Sequence, residues 1–136
     1  MNEAEFRAFL DDISTCFITG DFDTWANRIL LPFSMVQKRG PVMFQTRHEL
    51  KADFDLYLQA CEIMKLDEIY RRPISLEDCH DGTFIATYET QLLSHGQRAT
   101  APYTASALIH ATEDGYKMSS ILNALGHQTW TGTSPA

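Results

Sequence analysis

Of the five histidines in this chain, His110 alone stands inside a run of alternating residues, TASALIH, rather than beside a turn, at a helix start or in the tail. Successive side chains of a strand point to opposite faces, so its imidazole shares a face with Thr104, Ser106 and Leu108. An imidazole titrates near neutral pH, and in an apolar setting it can serve as general acid or base. Half exposed and hydrogen-bonded at a strand end, the same residue would be structural. Trp25, Tyr57 and Tyr88 are aromatic groups with polar tips, a type that either fills a core or orients a ligand in a pocket. Asp53 precedes Phe54 on a helical pattern and is expected to be solvated.

Other chemistries find little support. His48, His80, His95 and His127 form no local metal pattern with one another or with His110, and Cys16, Cys61 and Cys79 have no C-x-x-C spacing, so no metal site is expected. Three cysteines, an odd number, read as reduced thiols of a cytoplasmic protein. Without a G-x-S-x-G elbow, a phosphate-binding loop or a dinucleotide fingerprint, no cofactor is expected. A net charge of −7 repels phosphate backbones and argues against nucleic acid. The acidic start, MNEAEFRAFLDD, is not a signal peptide, and no apolar run has transmembrane length, so no membrane role is expected.

The elements that position these residues follow from periodicity. Phe6, Phe9, Leu10, Ile13 and Phe17 recur at steps of three and four, the stripe of a helix packed on one face. Gly20 suits the left-handed residue that ends it, and Asp21 suits the cap of the next helix. That second helix carries Phe22, Trp25, Ala26 and Ile29 and is expected to run until Pro32 stops it. Short strands follow at 33–37 and 41–44, then a third helix that opens on the capping box TRHE. From Lys65 the period becomes two, with strands expected at 66–79, 83–94, 99–112 and 116–124 around three glycine turns. Pro73 should mark a bulge, edge or kink. The pattern predicts an α+β domain over residues 1–125 and a polar tail at 126–136, on which Trp130 is a candidate docking residue.

This layout, with "GDFDTW" at the corner of the first two helices and "DGYKMSSI" as the last hairpin and strand, resembles the nuclear transport factor 2-like, or SnoaL-like, superfamily. The resemblance implies a strongly curved, mainly antiparallel sheet wrapped round three helices into a cone with a central pocket. It also implies the activities to test. A ketosteroid isomerase needs a carboxylate base with a tyrosine and a protonated aspartic acid. Counting from the corner places Ile13 at the tyrosine's position and the base's near Gln37, and the strand "APYT" resembles the one that carries the second acid and puts Thr104 there, so that reaction is not expected.

The comparison at Thr104 turns its strand face inward. The candidate pocket is then Trp25, Gln37, Tyr57, Tyr88, Thr104 and Ser106, with His110 as acid or base. The expected ligand is a small hydrophobic molecule. If the protein is catalytic, cofactor-free isomerisation, dehydration or cyclisation is implied; the alternative is a non-enzymatic ligand-binding or interaction module. The opposite face, Tyr103, Ala105, Ala107 and Ile109, would be an apolar outer surface and predicts a homodimer through the sheet.

Overall fold

The first apolar stripe is buried along one side of α1 (Glu3–Thr19) in the computed structural model, which describes residues 1–38 and 40–122. Asn2 and Glu5 hold its start with a reciprocal pair of side-chain to backbone bonds, at 2.8 and 2.9 Å. Gly20 ends it with φ of 75°, the left-handed region where a side chain would be strained. Asp21 then accepts the Thr24 amide at 3.1 Å and opens α2 (Phe22–Ala26).

α2 is only five residues long, much shorter than the sequence pattern suggests. Ile29 is instead the first residue of β1 (Ile29–Gln37), and Pro32 lies within that strand rather than ending a helix. The cause is non-local. The Arg28 carbonyl accepts the Met118 amide at 2.8 Å, and Ile29 pairs in parallel with Met118, far along the chain. Pro32 has no N–H to offer, and it falls within the irregular stretch between the pairings at Ile29 and Ser34.

β2 (Gly40–Phe44) folds back on β1, and α3 (Arg47–Ile63) follows. The expected capping box is half formed. Thr46 accepts the Glu49 amide at 3.1 Å, while the Glu49 carboxylate accepts from the Thr46 hydroxyl at 3.4 Å rather than from its backbone. Leu50, Phe54, Tyr57 and Cys61 are buried on one face of α3.

β3 (Glu68–Asp78), β4 (Thr83–Ser94), β5 (Gln97–Arg98), β6 (Tyr103–Thr112) and β7 (Gly115–Leu122) complete an α+β fold. The described strands form one sheet in the order β2-β1-β7-β6-β4-β3, with β5 on β4. It is antiparallel except at β1–β7. The register slips between Pro73 and Ser75, the bulge expected at that proline. His95 and Gly96, with φ of 53° and 78°, make the two-residue β4–β5 turn, whose twist matches that of the strands. The tail, Trp130 included, lies outside the described residues.

Candidate functional site

Between α1, α3 and the inner face of the sheet lies a cavity of about 50 Å³. Its roof carries Phe9, Leu10, Ile13 and Phe17 of α1, with Trp25 and Tyr57 beside them. Phe17 meets Trp25 edge-on at 5.6 Å and Tyr57 at 5.7 Å, so the aromatic corner fixes the roof. The floor is built from rows of register partners. Ala105 and Ala107 are small residues on the inner face of β6, and their lack of bulk leaves the hollow. Ile109 of β6 and Met118 of β7 close its apolar end.

The other end is polar. Arg71, Thr90 and Tyr103 are partners across β3, β4 and β6, and all three line the cavity. Arg71 is 7 % exposed and Thr90 1 %. The Arg71 guanidinium donates from Nη1 to the Ser14 hydroxyl of α1 at 2.7 Å and lies 5.9 Å from the Phe17 ring centre. Thr90 Oγ1 has no hydrogen-bond partner among the described residues. The Tyr103 phenol is near enough for a weak polar contact with it, short of hydrogen-bonding geometry. Burial pushes the phenols of Tyr57, Tyr88 and Tyr103 up, with the Arg71 charge offsetting part of the effect, so all three are neutral donors.

The expected site residues divide accordingly. Trp25, Tyr57 and Tyr88 line the cavity. Gln37 stands beyond it at the end of β1, paired with Gly40; its Nε2 and the Tyr57 hydroxyl both reach Met35 Sδ, each at 3.6 Å. Thr104, Ser106 and His110 lie on the outer face of β6, contrary to expectation. Thr104 is exposed opposite Glu89, Ser106 bonds Thr87 at 2.8 Å, and His110 Nε2 bonds Ser119 Oγ at 2.7 Å. The strand alternates as read, but with opposite phase: Ala105, Ala107 and Ile109 are buried because the more apolar set faces the core. The apolar surface that predicted a homodimer is therefore the cavity floor. Ile85, Leu108 and Leu122 are among the apolar groups on the outer side.

Arg71, Thr90 and Tyr103 were not singled out as pocket groups. The signal available was the adjacent pair Arg71-Arg72 in an alternating strand, since one of two neighbours there must face inward. Asp53 is not solvated as expected: its Oδ2 is buried without a hydrogen-bond partner among the described residues, and burial raises the carboxyl to about 6. Burial, with Asp21 next in effect, pushes the Cys16 thiol up to about 11, which keeps it protonated and unreactive. Among the described residues no three His, Cys, Asp or Glu side chains are grouped to hold a metal ion. No described helix is long and apolar enough to cross a membrane.

No protein-family profile and no curated protein matches the chain by sequence. Solved structures do match by fold. A cystatin-like domain of unknown function from Nostoc punctiforme superposes with a TM-score of 0.67 at 14% identity, over 91% of this chain and 78% of that one. An NTF-2-like protein of unknown function from Shewanella oneidensis gives 0.65 at 10% identity, over 91% and 99%. Aln2 from a Streptomyces species gives 0.65 at 13%, over 89% and 88%. The chain has the cystatin-like, nuclear transport factor 2-like fold, which is shared by proteins of many functions.

Proposed function

We propose that this protein binds a small, largely hydrophobic molecule in the cavity between α1, α3 and the inner sheet face, as a carrier or sensor rather than as an enzyme. The observation that carries the reading is the composition of the cavity wall: aromatic and aliphatic over most of its surface, with a few convergent polar groups at one end. Isomerase or dehydratase chemistry needs a group that accepts a proton near neutral pH. The described cavity wall offers phenols raised by burial and a permanently protonated guanidinium, while His110 is on the outer face. The free thiols of Cys16 and Cys79 support a reducing, cytoplasmic setting for this role.

Ala107→Val tests the site directly. It adds two methyl groups where the hollow lies, in a strand that favours a β-branched residue. Each buried methylene contributes about 0.8 kcal/mol, so the variant should be as stable as the parent or slightly more so. Ligands found by screening small aromatic and aliphatic molecules against the parent should lose at least about tenfold in affinity, or about 1.4 kcal/mol. Unchanged affinity in the filled variant would place the ligand elsewhere.

A further inference from the structure

The polar end of the cavity has a definite chemical sense. Arg71, Thr90 and Tyr103 occupy one row across three adjacent strands, and such partners stand about 5 Å apart at Cβ. The row presents donors to the cavity: a guanidinium fork, a threonine hydroxyl and a phenol. Tyr88, on the next row of β4, adds a second phenol. No Asp or Glu is among the described residues that line it, although the chain as a whole carries a net charge of −7. Arg71 is oriented by its bond to Ser14, and its charge persists at every physiological pH. Thr90 Oγ1 is the decisive atom: it is buried, it lines the cavity, and among the described residues it has only the polar contact with the Tyr103 phenol and no hydrogen bond of full geometry. A buried hydroxyl left unbonded costs free energy, and such groups call for an explanation.

We propose that the bound molecule is a compact organic acid whose carboxylate meets Arg71, Thr90 and Tyr103 while its apolar body lies over Ala105 and Ala107. A carboxylate is planar, has two oxygens that match the guanidinium fork, and accepts from hydroxyls at its remaining lone pairs. The cavity, at about 50 Å³, suits a short or branched hydrocarbon body better than a polycyclic one. For comparison, a dry apolar cavity of about 150 Å³ takes benzene. This assignment rests on the cavity being the ligand site.

The test is a titration of the protein with propionate and isobutyrate against the neutral amides propionamide and isobutyramide, with dissociation constants read from cavity methyl signals. The acids should bind at least about tenfold more tightly than their amides. Thr90→Val keeps the shape and removes the hydroxyl. It should weaken acid binding about tenfold, the usual effect of losing a hydrogen bond to a charged group, and leave amide binding within about twofold. Its melting temperature without ligand should rise, because an unbonded buried hydroxyl has been removed. That rise also shows that the variant folds. Equal binding of acid and amide inside the cavity would overturn the carboxylate assignment and leave the cavity as ligand site. Failure of all four molecules to perturb the cavity signals would overturn both readings.

Discussion

Asp53 and His110 show how far residue type alone can be pushed. Both are titratable, yet their surroundings reverse the roles their sequence positions suggest: the half-buried aspartate has one carboxylate oxygen shut away from solvent, and the histidine is a hydrogen-bonded group on the outer face. For Asp53 the consequence is a pH-dependent cost. An aspartic acid in an unfolded chain titrates near 4, at about 3.9. Burial holds this one at about 6. Below the lower value both states are protonated and nothing is lost. Between about 4 and about 6 the unfolded chain ionises while the folded carboxyl, whose Oδ2 meets no donor among the described residues, keeps its proton, so stability falls across that window and levels off above it. Asp53→Asn should therefore be more stable than the parent at pH 7.5, by an amount on the order of 2 kcal/mol, with the difference vanishing near pH 4. Urea unfolding at the two pH values measures it, and a difference independent of pH would contradict the assignment. The inward face of β6 was legible in its own residues, since Ala105, Ala107 and Ile109 are the more apolar set. Reading the phase from the resemblance at Thr104 inverted it.

At the scale of elements, local chemistry was the reliable guide and pairing the unreliable one. The α1 stripe, Gly20 as stop, Asp21 as cap and the glycine turns all appear as read, because each depends on a few neighbouring residues. The corner is also cross-braced. Asp23 accepts from Arg47 of α3 at 2.6 Å, and the Arg47 guanidinium sits 5.0 Å from the Phe22 ring. Removing the cap by Asp21→Ala should cost about 1 kcal/mol in chemical unfolding, the usual cost of a lost N-cap. No measurable loss would mean that the Arg47 contacts hold α2 without it. The length of α2 was misread for a different reason. The segment after Ala26 is decided by a parallel partner in β7, and no local signal announces a strand so far along the chain. The capping at Asn2 is different, because Asn2 and Glu5 have the spacing of a capping box just before the apolar run, a signal that the sequence does carry.

For the whole molecule, the α+β layout was legible and the location of the site was not. The fold follows from the order of periodic segments. The cavity follows from which face of five strands turns inward together, and from where small residues meet large ones across them. Only their register brings Arg71, Thr90 and Tyr103 into one row, since they come from three separate strands. A single measurement tests the central claim that a ligand enters this cavity. Met35 and Met118 line it, whereas Met43 is exposed on β2. With methionine methyls labelled with ¹³C, titration with isobutyrate should shift the Met35 and Met118 signals and leave Met43 in place. Stationary Met35 and Met118 signals, with or without movement at Met43, would contradict it.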